Sequence, residues 1–286
     1  MPAALVAGAV GVGAAGCGPS EGPRVAAADP PATTAERAAS EPAAKPDRGG
    51  HGPRKLPSAA GLHSAKGYAA DREGVVSLAT VNSDGRLRGY RENRRYASAS
   101  VVKAMLLAAE MRRLKHAGQA VDSSTDSVLT AMITISDNGA ADTIYNRVGD
   151  AGLNAVAKRA GMTRFTVAGY WGNAQIAAAD MARFFGDLDR QFPRRFREYA
   201  KGLLGSVTES QSWGIPAAAG KRWAVRFKGG WLPDHALVHQ AAELRERKGA
   251  RELAIVVLTD AQPSFTYGIE TVRGVAERLL SRDGDP

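Results

Sequence analysis

A serine hydroxyl is a poor nucleophile until a neighbouring base takes its proton, and an amine does so only when its surroundings keep it partly neutral. One S-x-x-K occurs in the sequence, Ser100-Val101-Val102-Lys103. Residues three apart face the same side of a helix, so Lys103 is expected to reach Ser100. Val102, Met105 and Leu106 around the lysine would desolvate its amine. A helix N-terminus at Ser100 would also offer free N–H groups to a developing oxyanion. A second group, Ser136-Asp137-Asn138, combines a hydroxyl able to relay a proton with an amide able to bind a substrate amide. Equally, it reads as the N-cap of a following helix. A third, Lys228-Gly229-Gly230, puts a positive charge beside two glycines that let another backbone approach. Its plain alternative is a turn with a solvated lysine.

These groups need elements to hold them. Gly74 to Val81 is rich in β-formers, Asn82-Ser83-Asp84-Gly85 signals a turn, and Arg86 to Tyr90 returns as a second strand. From Ala99 to Gly118 the period becomes helical, with Val101, Met105, Leu106 and Met111 on a broad apolar stripe. Further helices are expected over Ser127–Ile135, Gly139–Val148, Leu153–Ala160 and Asp180–Leu188. Trp223–Phe227, Ala236–Ala241 and Leu253–Leu258 read as strands, and Thr271–Leu280 as a closing helix. The expected class is α/β (α+β): a mixed, mainly antiparallel sheet from both chain ends, flanked by helices, with an all-helical insertion. The sheet part falls at about 67–99 and 215–286, and the helical part at about 100–214.

The order S-x-x-K, then S-D-N, then lysine-x-glycine on a strand resembles the class A β-lactamases and penicillin-binding proteins. The resemblance runs over roughly Gly67 to Leu280. Tyr96-Ala97 before the nucleophile turn, Met132 to Ala141 around S-D-N, and Leu253 to Leu258 followed by a helix are similar to the family's segments. The resemblance implies an acylated nucleophile at Ser100, a general base at Lys103 and a proton relay at Ser136. It also implies substrate binding by Asn138, Lys228, Gly230 and Trp231, with Lys228 attracting a substrate carboxylate and supporting Ser136. The backbone N–H groups of Ser100 and Trp231 would form the oxyanion hole, where losing one donor costs ~3–4 kcal/mol of transition-state stabilisation.

Three departures stand against that pattern. Gly229 replaces the family's Ser or Thr, whose hydroxyl helps bind a β-lactam carboxylate. No Glu or Asp occurs between Gly161 and Asp180, where class A enzymes carry the glutamate that activates the deacylating water. The interval from Ser100 to Ser136 is also short for the family. The expectation is a serine hydrolase acylated by a β-lactam or a peptidoglycan peptide, with slow β-lactam turnover. The alternative is a non-catalytic cell-envelope lipoprotein that uses the same scaffold to bind a ligand or partner.

The rest of the sequence bears on location. Residues 1–17 read as a signal peptide ending in Ala14-Ala15-Gly16-Cys17, which resembles a lipobox with Cys17, the single cysteine, as the lipidated residue. Residues 18–66 are rich in Ala, Pro and Gly and read as a flexible tether before a catalytic domain over 67–286. Gly11-Val12-Gly13-Ala14-Ala15-Gly16 matches G-x-G-x-x-G but lacks the strand and helix a dinucleotide site requires. The expected place is an exported lipoprotein or secreted protein, a monomer held to the membrane by a lipid anchor. With 38 Lys and Arg against 29 Asp and Glu, the chain carries a net charge of +9. The Arg86–Arg95 and Arg194–Arg197 runs then read as a solvated basic face or as attraction to anionic wall polymer and lipid, and no nucleic acid is expected. His235 and His239 are four apart but lack the Glu of a zinc motif, so no metal and no cofactor is expected.

Overall fold

The computed structural model describes residues 56–281 except positions 233 and 235. The signal segment with Cys17, the tether as far as residue 55, and His235 therefore lie outside the described residues. Five antiparallel strands form the main sheet in the order β2-β1-β7-β6-β5: β1 (Val75–Asn82), β2 (Leu87–Tyr90), β5 (Trp223–Leu232), β6 (Leu237–Glu246) and β7 (Glu252–Asp260). The N-terminal hairpin is thus joined to the C-terminal meander through β1 and β7, as the α/β expectation requires. β1 is buried over seven consecutive residues, Val76 to Asn82. Such a strand is covered on both faces, which explains its continuous rather than alternating apolar pattern. A short pair, β3 (Arg95–Ala97) with β4 (Gln175–Ala177), links the approach to Ser100 with the segment following the helical insertion.

The insertion begins with a 3-10 turn, Ala99–Val102, that runs into α2 (Lys103–His116). α2 buries Lys103 through Met111 without interruption, so it is a central helix, not an amphipathic surface one. α3 (Ser123–Thr130) continues into a π turn, Ala131–Ile135. α4 (Asn138–Arg159) merges the two helices expected at Gly139–Val148 and Leu153–Ala160, with a break at Gly149 where φ is 58°. α5 (Ala178–Phe185), α6 (Leu188–Gln191), α7 (Arg197–Gly205) and α8 (Ile215–Ala219) lead back to the sheet. α9 (Phe265–Leu280) closes the fold.

Two expectations need correction. Residues up to 66 read as a tether, yet α1 (Ala59–Asp71) is a helix capped by Ser58, whose Oγ accepts from Gly61 N at 3.0 Å. Its buried residues are Gly61, Ala65 and Ala69, a small-residue stripe that gives no large-apolar period to read. That stripe sits close against α9: a Cβ on Gly61 would lie 2.6 Å from the Arg278 carbonyl oxygen. The strand expected to end at Phe227 continues to Leu232, because Gly229 and Gly230 pair with Gln240 and His239 on β6. Lys228 is therefore a mid-strand residue, not the last one before a turn.

The helix stripe gives a stability prediction. Gly61→Val overpacks the α1–α9 contact and should cost about 1–3 kcal/mol. Gly67, with nothing within 4 Å of its Cβ position, should gain up to ~1 kcal/mol on change to Ala. Thermal unfolding of the two variants checks the pair, and equal Tm shifts of the same sign would contradict it.

Candidate active site

The turn that carries Ser100 is held in a costly shape. Ala99, immediately before it, has φ 43°, a left-handed conformation that a residue with a Cβ rarely adopts. Its neighbours fix it from three sides: Ser98 N donates to Ala174 O at 2.8 Å, Ser98 Oγ donates to Ala99 O at 3.1 Å, and the His239 ring bonds Ala97 O at 3.0 Å. Backbone strain of this sort, about 1–3 kcal/mol per residue, persists only where surrounding contacts over-determine it. Ser100 sits half-buried in the 3-10 turn, with the buried Gly230 of β5 against it. A Cβ at position 230 would lie 2.7 Å from Ser100 N and 2.9 Å from Val101 N. Only glycine lets the strand approach this turn, which brings the Trp231 segment beside the Ser100 amide.

Lys103 is fully buried at the head of α2. Its ε-amine donates to the Ser136 carbonyl, to Asn138 Oδ1 at 2.7 Å, to Asp137 O at 3.2 Å and to Ser136 Oγ at 3.4 Å. The Ser100 hydroxyl is not among these partners, contrary to the contact expected from their spacing. The amine is instead drawn to the S-D-N segment, whose four oxygens receive it.

The S-D-N segment serves as both a helix cap and a site. Asp137 caps α4 by accepting from Ala140 N at 2.7 Å, while Ser136 takes a left-handed turn with φ 65°. That turn brings the Ser136 hydroxyl to Lys228 Nζ at 3.0 Å. Lys228 is also fully buried, and its second partner is the adjacent Gly229 carbonyl at 3.0 Å. The solvated-lysine alternative therefore does not hold.

Two amines thus converge on one hydroxyl away from bulk water. Burial disfavours their charged forms: Lys103 falls to about 8, opposed by Asp137 and Asp142, and Lys228 falls to about 7, helped by repulsion from Lys103. Near neutral pH the pair can therefore exchange protons as a coupled unit.

Two supporting features lie outside the three triplets. Trp171 is buried with its ring centroid 5.0 Å from Lys103 Nζ, and its Nε1 donates to Asp142 Oδ1 at 2.6 Å. His239 is a fully buried strut beneath the Ser100 turn. Its Nδ1 accepts from Thr259 N at 3.1 Å, its ring lies edge-on to Tyr96 at 5.6 Å, and burial lowers its pKa to about 4. Tyr96 Oη and Ser77 Oγ complete this network at 2.8 Å. Each residue is ordinary in sequence; only the cross-strand register of Gly230 with His239 brings the histidine under the turn. Among the described residues no group of three or more His, Cys, Asp or Glu could hold a metal.

Comparisons with known proteins bear on the family and the fold. Residues 114–282 match the family model described as the beta-lactamase enzyme family; the match begins just after Ser100 and Lys103 and includes Ser136 and Lys228. A β-lactamase from Sphaerobacter thermophilus superposes with a TM-score of 0.68 at 18% identity, covering 77% of this chain and 95% of that one. PBP-A superposes at 0.67 and 18% identity, covering 79% and 97%. An ancestral class A β-lactamase gives 0.66 and 18%, covering 77% and 98%. No curated protein matches the sequence.

Two outcomes follow. Gly230→Ala should displace the Ser100 turn and cut acylation about 100-fold, the scale of a 1 Å misplacement; acylation within threefold of the parent would contradict the packing. Because both lysines have folded pKa values below the unfolded 10.5, the folded state loses their protons first. Stability should therefore rise with pH from about 7 upward as the buried charges are released, and Lys228→Met should flatten that rise. Tm measured from pH 6.5 to 9 reads it.

Proposed function

Since the chain belongs to the beta-lactamase enzyme family, we propose that it is a serine hydrolase that works by acyl transfer through Ser100. The observation carrying this reading is the convergence of buried Lys103 and Lys228 on Ser136, beside the strained turn that presents Ser100. Two desolvated amines within reach of one hydroxyl cost stability, and a scaffold that only binds a partner has no physical use for them.

In the proposed reaction Ser100 Oγ attacks the carbonyl carbon of an amide or ester, and its proton passes to neutral Lys103. Lys103 must first turn from its bonds to the S-D-N segment toward Ser100. The oxyanion is held by the Ser100 and Trp231 amides, as the resemblance implies. When the carbon–heteroatom bond breaks, Ser136 delivers the proton to the leaving atom, and Lys228 replenishes or polarises Ser136 at 3.0 Å. Asn138 orients the substrate amide. Lys228, fully buried with two of its N–H donors on Ser136 and Gly229, would act from beneath Ser136.

The second half-reaction is slower by this reading. No carboxylate occurs between Gly161 and Asp180, and the two that influence Lys103 have other work: Asp137 caps α4 and Asp142 accepts from Trp171. A deacylating water has no free carboxylate base among them, so a β-lactam acyl-enzyme should persist. The acyl donor in life is a β-lactam or a wall peptide, and the exported, lipid-anchored location read from Cys17 would place the enzyme beside the latter.

Intact-mass measurement with benzylpenicillin tests the reading. The expected result is one added penicillin that lasts for minutes or longer and is absent from Ser100→Ala. An unmodified parent, with neither penicillin nor an active-site phosphonate attached, would instead favour the non-catalytic alternative.

A further inference from the structure

The ε-amine of Lys103 meets two kinds of neighbour. The first are oxygens that can only accept: the Ser136 and Asp137 carbonyls and Asn138 Oδ1. An ammonium has three N–H groups to give and no lone pair, so these oxygens suit the charged form. The second is the ring of buried Trp171, with its centroid 5.0 Å from Nζ. A ring at this range attracts a cation, but it also stands where water would solvate that cation far better.

The ring is held in place. Its Nε1–H donates to Asp142 Oδ1 at 2.6 Å, the partner that a buried indole needs. Asp142 follows Asn138 by four residues on α4, so it shares a helix face with the amide that receives Lys103. The main chain agrees. Gly169 N donates to Asp150 Oδ2 at 2.9 Å, which ties the approach to Trp171 to α4 as well. Ala174 N donates to Trp171 O at 3.0 Å, and Ala174 O accepts from Ser98 N at 2.8 Å, two residues before Ser100. One helix thus holds both the amine and the ring laid against it.

The charges around Lys103 are accounted for. Asp137 and Asp142 oppose the effect of burial on its amine, and Lys228 on β5 is the like charge beside it. On α2 the next ionisable group is Glu110, two turns on and bound to Arg113 and Arg147. On α7, Arg197 and Lys201 pair with Asp189, and Glu198 is exposed. Burial and Asp142 hold the Tyr170 hydroxyl above its ordinary pKa, so it adds no charge near neutral pH.

We infer that Asp142 is a positioning residue for Lys103, acting through Trp171, whose ring it holds against the ε-amine to keep water off the base. The inference rests on the reading of Lys103 as the base for Ser100 and deepens it. Asp142 then has two opposed effects on the amine. Its charge favours the ammonium, while its hold on the ring favours the neutral form. Asparagine at this position keeps an oxygen for the indole N–H and drops the charge, whereas alanine drops both.

Carbon-13 titration of the Lys103 ε-carbon separates the two effects. In Asp142→Asn it should fall about half a pH unit or more below the parent. In Asp142→Ala, with the ring released and water admitted, it should lie about half a pH unit or more above Asp142→Asn, although both variants lack the same charge. Trp171→Leu should raise it above the parent. Equal titrations in the Asn and Ala variants, as a merely structural role gives, or no downward shift in Asp142→Asn, overturn the inference. Should Asp142→Ala or Trp171→Leu fail to fold, the other is set against Asp142→Asn. The rate of benzylpenicillin acylation against pH checks the underlying reading separately, since its acid limb should follow the Lys103 titration in each variant. A limb that stays put while the titration moves removes Lys103 as the base, and no adduct in the parent removes Ser100 as nucleophile. In both cases the Asn–Ala difference still decides whether Asp142 holds the ring on the amine.

Discussion

Two amines kept out of water next to one another set the terms for the rest of this fold. Lys103 and Lys228 are both fully buried and both meet at Ser136. Left alone, each charge would be expelled to the surface or would unfold its surroundings. Four oxygens of the S-D-N turn receive Lys103, and the Ser136 hydroxyl with the Gly229 carbonyl receives Lys228. Partial neutralisation removes the remainder of the cost. The same desolvation that destabilises the folded chain is what gives its amines useful basicity near neutral pH.

The supporting parts answer to that arrangement. Ser136 can face both lysines because its backbone turns left-handed, and it can turn because Asp137 takes over the capping of α4. Ser100 is presented by a second left-handed residue, Ala99, tied down from β4 and from His239 on β6. Gly230 removes the side chain that would otherwise hold β5 off this turn. Strain at 99 and 136 is thus carried by a sheet with an uninterrupted buried strand and by a helix buried along most of its length. Rigid elements brace both left-handed residues from either side.

Much of this was legible in the residues. Strong β-formers and the Asn82–Gly85 turn marked the first hairpin, the broad stripe after Ala99 marked the central helix, and three triplets in a fixed order marked the cleft. What stayed hidden was hidden for physical reasons. α1 buries only glycine and alanine, so it leaves no large-apolar period. The sheet continues through Gly229 and Gly230 because β6 pairs with them, which local preference cannot report. The orientation of Lys103 toward S-D-N depends on four oxygens that the left-handed turn at Ser136 brings to its amine from 33 and more residues away. Trp171, Asp142 and His239 are common residue types that acquire meaning only when distant elements place them under or over the lysines.

The central claim is that two lysines share a lowered, coupled titration at the core of the cleft. Carbon-13 NMR of the lysine ε-carbons, with Lys103 and Lys228 each identified by single substitution to Met, measures this directly. The account predicts that both amines lose their protons between about pH 7 and 8, and that removing Lys103 raises the titration of Lys228. Two independent titrations near the ordinary lysine value of 10.5 would contradict it.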